Sequence, residues 1–253
     1  MLDLQHITKV YNPDTLTEHP VFRDFSLTVP DGQFVSIIGS NGSGKTSLLN
    51  LICGTIAPDS GEVLMDGTAI THQKDFQRYA AMGRVYQNPS AGTAPNLTVL
   101  ENLSLADGKG KPFGLSRGIR KQRTDFFRQQ LSSLGLGLED QLDAKMGALS
   151  GGQRQAVSLL MATLTPLRFL ILDEHTAALD PKTADIIMEL TDRVVREKQL
   201  TAMMVTHNLR HALQYGDRLL MMDRGQVVLD RTGPEKQATT VDALLSCFQT
   251  LTL

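Results

Sequence analysis

Phe34-Val35-Ser36-Ile37-Ile38-Gly39-Ser40-Asn41-Gly42-Ser43-Gly44-Lys45-Thr46 is the stretch that decides the fold. Its opening, Phe34 to Ile38, is nearly all apolar, the pattern of a central strand covered on both faces. Gly39 to Thr46 then fits GxxxxGK[ST] in full, and a helix is predicted from about Lys45 to Cys53, stopped by Gly54. Strand, glycine loop and helix in this order form a cradle for phosphate. Glycines let backbone N–H groups wrap an anion without Cβ clashes, and a helix N-terminus adds partial positive charge. Lys45 can reach the β- and γ-phosphates of a nucleotide, and the Thr46 hydroxyl can ligate Mg2+.

Upstream of this unit, Leu2 to Tyr11 reads as a strand, followed by a polar loop from Asn12 to Pro20. Phe25, Leu27 and Val29 alternate with Ser26 and Thr28, as in a half-buried antiparallel strand. Pro30-Asp31-Gly32 makes a turn. Downstream, Glu62 to Gly67 reads as a strand entering a turn. From Asn88 to about Gln155 the texture turns helical, with segments at Val99 to Leu105 and at Thr124 to Leu134, where Phe126, Phe127 and Leu131 have helical spacing. Strand character returns at Arg168 to Asp173. An amphipathic helix at Ala184 to Val195, a buried strand at Ala202 to Val205, and a hairpin around Asp223-Arg224-Gly225 follow. Val241 to Phe248 is a C-terminal helix with Thr240 as its cap. Strands alternating with helices predict an α/β fold with a mainly parallel sheet, preceded by an antiparallel β subdomain. Residues 1–87 and 156–253 are expected to build that core, and 88–155 a helical subdomain.

Composition agrees with one sizeable α/β domain. The chain has 253 residues, 41% of them apolar and 21% charged, and 25 Lys+Arg stand against 27 Asp+Glu. A net charge of −2 excludes a globally basic nucleic-acid binder. No long apolar run predicts a membrane span, and the N-terminus lacks an export pattern. Cys53 and Cys247 are far apart and are expected to be buried thiols in a reducing compartment.

Two further motifs carry chemistry. Phe169-Leu170-Ile171-Leu172-Asp173-Glu174 is an apolar strand ending in two acids, where ligands of open α/β sheets bind. Asp173 is expected to hold Mg2+ through water. Glu174 is expected to be the general base for an attacking water. Leu149-Ser150-Gly151-Gly152-Gln153 puts a serine and two glycines at a helix start, a second anion site. One chain thus offers two half-sites for phosphate. A head-to-tail dimer explains this, each nucleotide held by one subunit's phosphate loop and the other's Ser-Gly-Gly turn. Alone, the same turn reads as a helix capped by Ser150.

LSGGQ downstream of a complete phosphate loop resembles the nucleotide-binding subunit of an ABC transporter, over nearly the whole length and in the family's motif order. The resemblance implies ATP bound along Gly39 to Ser47, with Tyr11 stacked on adenine. It implies Ser150, Gly151, Gly152 and Gln153 closing on the partner's nucleotide, and Asp180, in Ala177-Ala178-Leu179-Asp180, crossing the dimer interface. Gln87 matches the loop glutamine that touches Mg2+ and signals to the membrane partner, and His207 the switch histidine at the γ-phosphate. Lys45, Gln87, Glu174 and His207 would be the catalytic set; Thr46, Gln87 and Asp173 would hold Mg2+.

A separate ATPase subunit of this size resembles bacterial importers, so the implied partners are a membrane permease, a second copy of the chain and an extracellular solute-binding protein. The implied location is the cytoplasmic, inner face of the cell membrane. Glu174-His175-Thr176-Ala177 departs from the family's usual Pro-Thr-Ser after the glutamate; the run through Asp180 resembles an importer branch for amino-acid-type solutes. His175 either packs or tunes the pH response of Glu174. Lys109, Lys111, Arg117, Arg120, Lys121 and Arg123 read as a solvated basic surface, with lipid headgroups or a permease loop as the sharper alternative. Competing functions are a non-transport membrane regulator and a soluble ABC ATPase. The second is disfavoured by the near-neutral charge and by the lack of long heptad insertions.

Overall fold

The computed structural model describes residues 1–111, 118, 119 and 121–251. Its N-terminal part runs β1 (Leu2–Tyr11), β2 (His19–Val29), β3 (Phe34–Gly39), α1 (Lys45–Cys53), β4 (Ser60–Met65) and β5 (Thr68–Ala69). The middle runs α2 (Asp75–Tyr79), β6 (Met82–Val85), α3 (Val99–Asp107), α4 (Thr124–Ser132) and α5 (Gly151–Thr163). Then come β7 (Phe169–Asp173), α6 (Pro181–Glu197), β8 (Thr201–Val205) and α7 (Leu209–Gln214). The chain closes with the hairpin β9 (Arg218–Asp223) and β10 (Gln226–Thr232), followed by α8 (Gly233–Ala238) and α9 (Val241–Leu251).

β1, β2, β4 and β5 form an antiparallel sheet in the order β2-β1-β4-β5. The other sheet has the order β10-β9-β3-β8-β7-β6, parallel from β9 to β6 with β10 antiparallel at one edge. β3 is buried at every position because it lies inside this sheet with side chains covered on both faces. The strands divide their residues with period two. Ile37, Ile171, Met203 and Leu220 join Phe22, Phe25, Leu4 and Val63 of the antiparallel sheet, with Leu48, Leu49 and Ile52 of α1 between. Leu170, Leu172, Ala202 and Met204 face the other way, into a core shared with α3, α4, α5 and α6. α/β architecture with an antiparallel N-terminal sheet is therefore what forms. Both strands that flank the phosphate loop and its acids end at the same edge of the parallel sheet.

Several local expectations change. β2 begins at His19, so the loop ends before Pro20; Pro20 pairs with Val10 on an edge strand, where the missing N–H is tolerated. β6 joins the parallel sheet beside β7, although Gly83 and Arg84 interrupt its apolar run. Cys53 is buried, but Cys247 is only half-buried, at the edge of the small cluster where α9 meets α7 and β9. Phe127 and Leu131 are buried as their spacing predicts, whereas Phe126 is only partly covered and packs beside Phe127. No helix among the described residues is long and apolar enough to cross a membrane.

Candidate active site

Two glycines of the loop between β3 and α1 stand where a Cβ would meet close neighbours. A Cβ on Gly39 would lie 2.4 Å from the Met222 carbonyl oxygen and 2.6 Å from Ser43 Oγ. Gly44 has φ +101° and would press a Cβ to 3.2 Å from the Phe22 ring. At Gly42 the space is open. Among the described residues, side chains cap other helices: Thr98 on α3, Ser150 on α5, Asp180 on α6, Asn208 on α7 and Thr240 on α9. α1 has none, so its first-turn N–H groups have no side-chain acceptor.

Lys45 folds back over this turn. Its Nζ donates to the Gly39 and Ser40 carbonyls, both at 2.8 Å, and to Ser43 Oγ at 3.3 Å. Burial pushes the lysine below its ordinary pKa, with nearby Glu174 opposing that shift. A cation and an uncapped helix start around an open glycine form a site that fits phosphate. Thr46 is exposed in the first turn of α1. Ser40 Oγ lies 3.4 Å from Asp223 Oδ1, and Ser47 Oγ 3.5 Å from the Tyr11 hydroxyl.

Beside the loop, β7 and β8 bring in the acids and the histidine. Glu174 adopts φ +47°, a left-handed conformation that costs a non-glycine residue about 1 kcal/mol. Its N–H donates to the Val205 carbonyl at 2.9 Å, which fixes the turn. Glu174 Oε1 lies 2.8 Å from His207 Nε2. A pocket of about 220 Å³ collects Tyr11, His19, Val21, Asn41 to Ser47, Glu174 and His207.

Asp173 sits at the end of β7. Its Oδ2 accepts from Arg84 Nη2 at 2.6 Å, a contact with no counterpart in the motifs above. The only sequence signal for it is a lone charge in the short apolar run from Met82 to Val85. Thr46 and Asp173 both offer oxygen donors, the hard kind that suits Mg2+.

The remaining predicted residues lie elsewhere. Gln87 is exposed in the loop after β6 and does not line the pocket. Ser150 and Gln153 cap α5 reciprocally, and the turn is seated on the start of α6. A Cβ on Gly152 would stand 2.3 Å from Thr183 Cγ2, and one on Gly151 3.2 Å from Leu179 Cδ2. Asp180 caps α6 by accepting from the Thr183 N–H at 3.1 Å; bonds with Thr183 hold its carboxyl below the usual pKa. Within one chain there are thus two separate groups: the phosphate-loop pocket, and the Ser150-Gly151-Gly152 turn with Asp180.

His175 does not serve as a neutral-pH partner of Glu174. It is 2% exposed, its Nε2 lies 3.1 Å from Thr191 Oγ1, and burial pushes its pKa down to about 3. In the basic segment Lys111 is exposed, and Lys109 and Arg123 are partly covered. Lys109 Nζ donates to the Met82 carbonyl, and Arg123 and Lys111 both pair with Asp107. Arg117 and Arg120 lie outside the described residues.

Residues 22–177 match the family model described as ABC transporter. The chain is 48% identical to a tyrosine transport ATP-binding protein of Clostridioides difficile (strain R20291), over 98% of this chain and 99% of that protein. It is 30% identical to a methionine import ATP-binding protein of Pseudomonas entomophila (strain L48), over 90% of this chain and 66% of that one. A dimeric ATP-binding cassette in a post-hydrolysis state, bound to ADP and Pi, superposes with a TM-score of 0.77 at 30% identity, covering 92% of this chain and 98% of its own. With the complete phosphate loop and the LSGGQ turn in place, this chain belongs to the ABC transporter family, as an ATP-binding subunit that hydrolyses ATP.

Proposed function

We propose that this subunit powers uptake of a small solute, of the amino-acid class, through a separate membrane permease. The relative named for tyrosine transport, matched along nearly its full length, supports the solute class. The subunit works on the cytoplasmic face of the membrane, and an extracellular solute-binding protein delivers cargo to the permease.

One observation carries the mechanical reading: the Ser150-Gly151-Gly152 turn does not line the pocket that holds the phosphate loop, Glu174 and His207. A second copy, packed head to tail, brings its own turn to that pocket. ATP then sits between two chains, with Tyr11 against the base, Lys45 and the loop amides on the phosphates, and the other copy's Ser150 turn and Asp180 closing over it. Thr46, Gln87 and Asp173 would hold Mg2+, which neutralises charge on the β- and γ-phosphate oxygens. Glu174 accepts the proton of the attacking water, and His207, 2.8 Å away, fixes the carboxylate and reaches the γ-phosphate. The closed dimer engages each nucleotide through both half-sites and the open one through a single half-site; this difference in binding drives the motion.

Glu174→Gln is the test. The variant is expected to bind ATP, to dimerise with it, and to hydrolyse it at least about a hundredfold more slowly than wild type. An unchanged turnover rate would remove Glu174 from the role of base. A pull-down of that variant from detergent-solubilised membranes with ATP and Mg2+ should recover a multi-span permease; recovery of ribosomal or DNA-bound proteins alone would overturn the transport reading.

A further inference from the structure

Arg84 of β6 ties β7 and α1 together at Asp173. Its Nη2 donates to Asp173 Oδ2 on β7 at 2.6 Å, and its Nη1 to Asn50 Oδ1 on α1 at 3.0 Å. The guanidinium carbon lies 4.8 Å from the centre of the Tyr86 ring. The Arg84 side chain is 9% exposed and that of Asp173 17%. The placement follows from the sheet. β6 and β7 are parallel with Arg84 opposite Ile171, so Asp173, two residues on, stands on the same face. Among the described residues, Arg84 is the cation within ion-pair distance of Asp173. A guanidinium keeps its charge at every accessible pH, and here one of its terminal nitrogens holds Asp173 while the other holds Asn50.

We infer that Arg84 is a positioning residue, an internal counter-cation that aims Asp173 and weakens its hold on a divalent ion until nucleotide phosphates are present. The inference rests on reading Asp173 as a Mg2+ holder. A fixed positive charge in contact with one carboxylate oxygen opposes a divalent ion at the other, and partial burial limits the screening of that repulsion. Phosphate oxygens supply the missing negative charge, so metal and nucleotide enter together. A merely structural Arg84, tying α1 to the sheet, would leave the intrinsic metal affinity unchanged.

The experiment titrates Mn2+ into the full chain without nucleotide and reads free Mn2+ by electron paramagnetic resonance. Arg84→Gln, which loses the charge, is expected to bind Mn2+ about tenfold more tightly than wild type. Arg84→Lys, which keeps the positive charge but loses the planar group, should bind Mn2+ less tightly than Arg84→Gln. Adding Asp173→Asn to Arg84→Gln should abolish the gain. Equal affinity in wild type and a cooperatively melting Arg84→Gln overturns the proposal. Should that variant not fold, the wild-type chain decides. Its Arg84 side-chain N–H resonances should stay protected when Mg2+ alone is added, and their loss overturns the proposal. Asp173→Asn alone separates the two readings. If the Mg2+ dependence of nucleotide binding survives it, both fall. If that dependence is lost while Arg84→Gln binds Mn2+ as wild type does, Arg84's role falls alone.

Discussion

His175 and Glu174 are neighbours in sequence and opposites in environment. The glutamate turns outward through a left-handed backbone toward His207, whereas the imidazole turns into the core against Thr191 on α6. Burial holds the histidine neutral, at about 3 instead of its ordinary 6.5. The sign follows from linkage. Between pH 6.5 and 3 the unfolded chain binds a proton here that the folded chain refuses, so stability falls as pH falls through that window. Wild type should lose about 2 kcal/mol more than His175→Gln between pH 7 and pH 5, measured by urea unfolding. Above pH 6.5 the two curves should run parallel, and the ratio of their ATPase rates should be flat from pH 6 to 8. A ratio that bends near neutral pH would show that this imidazole does titrate beside the base. The sequence could not separate these outcomes, because one residue of chain distinguishes a side chain facing solvent from one facing the core, and a bend in the backbone decides which.

Helix starts explain both what was legible in the chain and what was not. The phosphate loop, the LSGGQ turn and the β7 acids could be read because each is a local pattern whose conformation is set by glycines, a cap or an apolar run. The boundaries of α1 and the glycine-loop and Glu174 side of the pocket followed from such patterns, whereas Tyr11 and His207 came only with the family resemblance, and His19 and Val21, brought in by β2, carried no local signal. β6 and Arg84 did not, since a short strand containing glycine and arginine is recognisable only beside β7. The seat of α5 on α6 was equally hidden. Gly152 is glycine because α6 passes too close for a Cβ, with Thr183 Cγ2 only 2.3 Å away. Gly152→Ala should therefore destabilise the chain by about 1–3 kcal/mol through overpacking. Thr183→Ser removes the offending methyl and should return most of that loss in the double variant, a coupling read directly by a double-mutant cycle. An additive cycle would mean that the glycine is there for a bound phosphate and not for the contact with α6.

A single copy of this molecule carries a phosphate-loop pocket on one part of its surface and the Ser150-Gly151-Gly152 turn outside that pocket. Closed two-fold symmetry resolves that separation, because a head-to-tail pair makes two identical composite sites from the same two half-sites. The consequence can be tested with defective copies. Lys45→Ala disables the phosphate loop and leaves the Ser150 turn intact. Ser150→Arg does the reverse, filling the turn with a side chain that blocks the other copy's nucleotide. Each variant alone builds dimers in which both sites are broken. In a mixed dimer, both lesions fall on the same site, and the other is built from two intact halves. An equal mixture should thus recover up to about a quarter of the wild-type ATPase rate, since half the dimers are mixed and each holds one working site. The recovered rate should rise with the square of total chain concentration until dimers saturate. A mixture no more active than its components, when both variants are folded and Ser150→Arg still binds ATP, would mean that the two half-sites do not meet across a dimer and that the LSGGQ turn serves α5 alone.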